Sequence, residues 1–250
     1  MKKLLVSIAN YGDDQLGYLN RVIDEFKSYK EFDVSVTIHS TTNINRSDIK
    51  LVMHPMSVKF FLVFKHRMEF YEQRDNFDLF LYNENDMLIE EEAIKTYCKY
   101  DDSLPIDTCL GFLRYEQRIN DNNLYFPDMN PFWGETVKEK DIQIGDSKYF
   151  KTQNPHQGCW LLSKAKLKTF LFSDGYFIET NSLETGATGP FLDWGLGGNI
   201  KKVHIQDRKD LKNCLIHHLS DKYANKPDAV WQHSPGPLTF EELMVKLNIQ

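Results

Sequence analysis

The feature that most constrains this chain is the order of its first hundred residues, where buried-strand and amphipathic-helix patterns alternate. Leu4–Ala9 is a continuous apolar run of the kind found in strands covered on both faces of a parallel sheet. The polar loop Asn10-Tyr11-Gly12-Asp13-Asp14 follows, and either aspartate can cap what comes next. Leu16, Leu19, Val22, Ile23 and Phe26 recur every three or four residues, which predicts a helix with one apolar stripe. Phe32–His39 is β-branched and alternating, a second strand. Residues 57–73 read as a second helix, Phe77–Tyr82 as a third strand and Leu88–Tyr97 as a third helix with acids in its first turn. A βαβαβ order predicts an α/β fold with a mostly parallel sheet flanked by helices.

The second half reads differently. Cys109–Tyr115 and Cys159–Leu162 are strand patterns, and residues 125–157 are rich in proline and loop residues. Lys164–Phe172 is a short helix, and 173–200 carries a run of glycines. Val203–Ile205 and Cys214–Leu219 are late strands, and Thr239 with Glu242 forms a capping box for a last helix, Phe240–Leu247. With 250 residues and no repeat or linker, one domain is expected over 1–250. A chain of this size buries about 70–75% of its unfolded surface and needs no disulfide or metal to hold a core.

Composition narrows the function. A net charge of −6 without a basic block excludes a general nucleic-acid binder. The four cysteines are scattered, with no CxxC pair, and read as reduced core thiols. Lys2-Lys3 before the first apolar run mimics a signal peptide, but six apolar residues are too few, and no stretch approaches a membrane span. A cytoplasmic protein is expected. The sequence has no GxGxxG, GxxxxGK[ST], GxSxG or HExxH.

Ligands of open parallel sheets sit beyond the carboxyl ends of the strands, which selects the loops after Ala9, His39 and Tyr82. The last reads Tyr82-Asn83-Glu84-Asn85-Asp86, two carboxylates that can converge on one hard divalent cation. Their spacing alone is uninformative, since Glu90/Glu92 and Glu139/Asp141 share it.

Residues 77–89, FDLFLYNENDMLI, resemble the DxD segment of the GT-A glycosyltransferases, with Glu84-Asn85-Asp86 in the place of the acidic motif. Residues 215–223, LIHHLSDKY, resemble the late histidine segment of such enzymes, and 111–116 and 157–163 resemble their acceptor-side strands. The resemblance covers 1–223 and is strongest at 77–89 and 215–223. It implies a GT-A-like Rossmann-type sheet, with 1–100 as the nucleotide-sugar half and 101–250 as an irregular acceptor-side half. It implies a glycosyltransferase that moves a sugar from a UDP- or GDP-sugar to an acceptor hydroxyl, assisted by Mn²⁺ or Mg²⁺.

The implied metal ligands are Glu84, Asp86 and His218. His217 and His218 face opposite sides of a strand, so one can join the site, and His218 is assigned. A metal there would bridge the phosphates and neutralise charge on the leaving diphosphate. The nucleotide would lie on Ala9, Asn10, Tyr11, His39 and Asn85, with Ser40 and Thr41 near the base or ribose. Arg67 and Lys65 are candidates for the diphosphate. An inverting enzyme needs a base near the acceptor; the candidates are Glu184, Asp193 and Glu179, whereas a retaining enzyme needs none. Trp133, Trp160 and Trp194 are possible sugar platforms. Two rivals share the fold: a sugar-nucleotide nucleotidylyltransferase, against which the acidic loop 10–14 counts, and a non-catalytic carbohydrate- or nucleotide-binding protein.

Overall fold

The apolar run at the N-terminus is the middle of the main sheet. In the computed structural model, which describes residues 1–119, 121–129, 136–180, 182–192, 197–225 and 237–249, it forms strand β1, Lys2–Asn10. Parallel to it lie β2, Phe32–Ser40, on one side and β4, Leu79–Glu84, on the other. A short strand that the sequence pattern did not signal, β3 (Lys50–Met53), extends the parallel set beyond β2. One antiparallel strand, β11 (Cys159–Ser163), closes the far edge beside β4, giving the order β3-β2-β1-β4-β11. Leu4, Val6 and Ile8 on one face and Leu5 and Ser7 on the other are all buried, as a strand covered on both faces requires.

Helix α1, Leu16–Ser28, crosses from β1 to β2 and buries Leu19, Val22, Ile23 and Phe26. Its N-cap is Gln15 without a side-chain cap, so neither Asp13 nor Asp14 caps it; Asp13 supplies only its carbonyl, to the Leu16 amide at 3.2 Å. The helix predicted over 57–73 is two pieces. A 3-10 segment, Met56–Phe64, is interrupted at Lys59 by φ 44° and ψ −125°, and α2 follows over His66–Gln73. The third helix starts later than its pattern suggests. Met87–Leu88 is taken into strand β5 by pairing with a late strand, and α3 runs Glu91–Asp101.

The strand expected at Cys109–Tyr115 divides at Gly111-Phe112 into β6, Thr108–Leu110, and β7, Leu113–Gln117, which enter different sheets. Only glycine fits at the break: a Cβ on Gly111 would lie 2.6 Å from the aliphatic carbons of Lys202 and 3.0 Å from the His204 ring. β8 is Leu124–Phe126. The stretch read as loop holds a hairpin, β9 (Val137–Ile144) and β10 (Ser147–Thr152), turned at Gly145 with φ 58°. Helices α4 (Lys164–Leu171) and α5 (Leu183–Thr188) follow β11. Then come β12 (Lys201–Ile205), α6 (Arg208–Asn213), β13 (Leu215–His218), α7 (Lys222–Asn225), β14 (Leu238–Thr239) and α8 (Phe240–Leu247). The expected capping box of Thr239 and Glu242 is present on α8.

Two smaller sheets complete the mixed α/β architecture, in the orders β6-β12-β10-β9 and β14-β8-β7-β13-β5. β13 is parallel to β7 and antiparallel to β5, and this pairing carries the late histidines back to the end of β4. All four cysteines are free. Among the described residues no helix is long and apolar enough to cross a membrane.

Candidate functional site

β1 and β4 run parallel and in register, with Ala9 opposite Glu84, so their carboxyl ends open together. A cleft of about 1000 Å³ lies there. Its floor includes Ala9 and the Glu84-Asn85-Asp86 segment, and one wall carries Tyr11, Lys59 and Phe60. The other walls bring in Arg114, Asp128, His156, Glu184, His218, Lys222 and Tyr223 from the second half of the chain.

The loops after β1 and β4 are tied to each other. The buried Asn10 donates to Ser40 Oγ and to the Gly12 carbonyl, both at 3.0 Å, and accepts from Asn85 Nδ2 at 2.7 Å. Gly12 takes φ 71°, and its amide donates to Thr41 Oγ1 at 2.9 Å. Asn10 and Asn85 therefore brace the cleft floor. Tyr11, nearly half exposed, faces the opening and donates to the Met56 carbonyl at 3.3 Å.

Strand β13 pairs His218 with Met87 and so brings its imidazole against Asp86. Nε2 lies 3.0 Å from Asp86 Oδ2 and 2.9 Å from Ser220 Oγ, while Nδ1 meets the fully buried Glu116. Burial works against a charge on His218, but hydrogen bonds to Asp86 and Glu116 overcome it and raise the imidazole pKa. Burial works against the Asp86 carboxylate too, yet His218 keeps its pKa below the usual value. Asp86 Oδ2 also accepts from Gln15 Nε2 at 3.2 Å. His217 points elsewhere, stacked on Tyr115 with centroids 4.7 Å apart and bonded to Asp221.

Glu84 is half-buried, and among the described residues no group hydrogen-bonds its carboxylate. Burial raises its pKa; His156 pulls the other way and Asp86 adds to the rise. Deeper in the cleft, Arg114 grips Asp128 with two bonds, Nε–Oδ2 at 2.8 Å and Nη2–Oδ1 at 2.7 Å. His156 Nδ1 lies 3.4 Å from Asp128 Oδ1. Despite burial, Arg114 holds the Asp128 carboxyl far below its ordinary value. Sequence reasoning missed this trio. The one available signal was a charged Arg114 inside an otherwise apolar strand; Asp128 and His156 lie in stretches read as loop.

Several anticipated residues sit apart from the cleft. Arg67 is buried, and its Nη1 donates to the carbonyls of Gly175, Tyr176 and Ile178, so it braces that loop. Lys65 pairs with Glu179 at 3.0 Å, and neither lines the cleft. His39 is buried between His54, at 3.0 Å, and Glu69, at 3.4 Å. Glu184 does line the cleft, as an exposed carboxylate that accepts from Ser182 Oγ at 2.7 Å; this bond lowers its pKa. Trp160 is wholly buried against Phe70 and Phe170 and is a core residue, with no face for a sugar. Asp193, Trp133 and Trp194 lie outside the described residues.

Among the described residues no group of three His, Cys, Asp or Glu side chains is arranged to hold a metal ion. Glu84 and Asp86 share the cleft, but both ring nitrogens of His218 are committed to carboxylates. As they stand, the three do not fit a metal shell.

No family model and no curated protein matches the sequence. Among solved structures, the chain is similar to a mannose-1-phosphate geranyltransferase from Thermus thermophilus, at 8% identity over 82% of this chain and 74% of that one, with a TM-score of 0.44. It is similar to S. aureus TarS 1–349 at 10% identity, covering 90% of this chain and 63% of that one, TM-score 0.43. The same TarS segment in complex with UDP-GlcNAc gives 13% identity, 74% and 53% coverage and a TM-score of 0.39. The chain thus spans less than two thirds of the TarS segment.

Proposed function

We propose that this chain is a glycosyltransferase that moves a sugar from a UDP- or GDP-sugar to an acceptor hydroxyl. One observation carries the reading. The segments that resemble the GT-A enzymes, 77–89 and 215–223, meet in one cleft at the end of a parallel sheet, with Asp86 Oδ2 3.0 Å from His218 Nε2. Segments so far apart in sequence have no local reason to meet there, and the carboxyl end of parallel strands is where such sheets bind ligands.

In this reading residues 1–100 hold the nucleotide and 101–250 the acceptor within a single domain. Tyr11 and Phe60 offer exposed aromatic faces for the base. Ala9, near the end of β1, lines the cleft floor, where the ribose would lie. Lys59 and Lys222 supply positive charge for the diphosphate, and His218, whose pKa its carboxylate partners raise against burial, lies beside it. Stabilising charge on the leaving group is the main task of such a site. No step runs through a metal. The metal-assisted form asks Asp86 to exchange His218 for Mn²⁺ or Mg²⁺, and nucleotide binding with and without Mn²⁺ decides it.

The test is release of nucleotide from UDP-glucose, UDP-GlcNAc and GDP-mannose, with simple sugars as acceptors. Release from at least one donor, lowered about 100-fold or more by Asp86→Ala, is the expected result. A chain that binds nucleotide but releases none leaves a binding protein and contradicts the proposal.

A further inference from the structure

The base for acceptor attack has three sequence candidates, and the described residues offer a better-placed group. Glu184 is exposed and already engaged by Ser182. Glu179 is paired with Lys65 away from the cleft. Glu84 faces the cleft with no hydrogen bond to orient it.

His156 also lines the cleft, and everything around it fixes its direction. Its amide donates to Asn154 Oδ1 at 2.9 Å. On its two sides, the buried Lys202 ammonium donates to the Pro155 carbonyl at 2.6 Å and to Gln157 Oε1 at 3.0 Å. Gln157 Oε1 also accepts from the Phe112 amide at 3.1 Å. A buried cation therefore clamps the short segment that carries the imidazole. The ring is set by Asp128, whose Oδ1 is 3.4 Å from Nδ1. Because Arg114 grips both oxygens of Asp128, the carboxylate is held in place on the Nδ1 side of the ring and leaves Nε2 on the other side. Among the described residues nothing hydrogen-bonds Nε2. An imidazole backed by a carboxylate, with its far nitrogen open to a substrate cleft, is built to take a proton.

We propose that His156 Nε2 is the general base that deprotonates the acceptor hydroxyl. The inference rests on the transferase reading above. As the proton moves to Nε2, the acceptor oxygen bonds to the anomeric carbon. The bond from that carbon to the diphosphate oxygen breaks, and its electron pair leaves with the nucleoside diphosphate. The proton on Nε2 then passes to solvent. Attack assisted from the face opposite the leaving group inverts the anomeric centre.

The experiment compares wild type with His156→Gln and His156→Ala on whichever of UDP-glucose, UDP-GlcNAc and GDP-mannose the wild type turns over. Nucleotide binding is followed in parallel by thermal shift. Both variants are expected to lose kcat by about 100-fold or more while keeping the nucleotide shift. Added imidazole should restore turnover to His156→Ala, which has room for it, and not to His156→Gln. The product anomer should be inverted. Turnover by His156→Gln within tenfold of wild type, loss of nucleotide binding along with activity, or a retained anomer overturns the inference and leaves the transferase reading standing. A wild type that neither binds nor turns over any donor removes both.

Discussion

His218 is gripped at both ring nitrogens by carboxylates from two different elements, Asp86 in the turn between β4 and β5 and Glu116 on β7, with the imidazole and Asp86 almost fully buried. Removing the imidazole leaves two buried carboxylates without their shared partner, so His218→Gln should destabilise by about 3 kcal/mol. In a chain of this length that is a fall in Tm on the order of 5–10 °C. The pH dependence follows from the two shifts. His218 has a raised pKa, because its carboxylates outweigh burial. Its contribution is therefore complete below about pH 6.5, the unfolded value, and fades as pH climbs through the folded value. Asp86 has a lowered pKa, because His218 outweighs burial. Its contribution is present above about pH 3.9 and fades as pH falls through its folded value. The Tm gap between wild type and His218→Gln should be widest between about pH 4 and 6.5 and narrow as pH climbs through the raised folded value of His218. A gap that widens toward alkaline pH contradicts the ion-pair assignment. Glu84 has the opposite sign. Burial raises its pKa, so its ionised form costs stability at neutral pH, and Glu84→Gln should stabilise the fold by on the order of 1 kcal/mol. Thermal melts at pH 7 check it; a lower Tm contradicts the placement. Asp86 and His218 were legible through resemblance. The Arg114, Asp128 and His156 cluster was not, because its members come from separate elements and carry no shared spacing.

Elements that signal themselves locally were legible. β1, β2 and β4 have apolar or β-branched runs, α1 has its stripe, and α8 has its capping box. Thr239→Ala should cost α8 about 1 kcal/mol, measurable by chemical denaturation. Elements defined by partners were not legible. β5 exists because β13 pairs with it, and the 108–117 segment divides between two sheets, β6 pairing with β12 and β7 with β13. The β9–β10 hairpin has alternation and a Gly145 turn, but prolines and glycines around it mask the pattern. The helix over 57–73 breaks at Lys59, whose φ of 44° and ψ of −125° suit glycine alone. Lys59→Gly should raise stability by about 1 kcal/mol, seen as a higher Tm. Because Lys59 lines the cleft, the same change should weaken nucleotide binding.

On the scale of the molecule, the first hundred residues build a parallel sheet whose open end forms half a cleft. The rest supplies the other half through β7, β13 and the loop at His156. The sheet and the position of the cleft follow from the βαβαβ order and the rule for parallel strands. The far wall does not, since it depends on long-range pairing. The central claim is that this cleft binds a nucleoside diphosphate. It is tested most directly by thermal melts with UDP, GDP, CMP and dTDP, each with Mn²⁺ and with EDTA. At 100 times its dissociation constant, a ligand specific for the folded state adds about 2.7 kcal/mol, several degrees in a chain of this size. UDP or GDP is expected to give this shift, and the shift is expected to persist in EDTA. A shift seen only with Mn²⁺ restores Glu84 and Asp86 as metal ligands. No shift with any nucleotide contradicts the account.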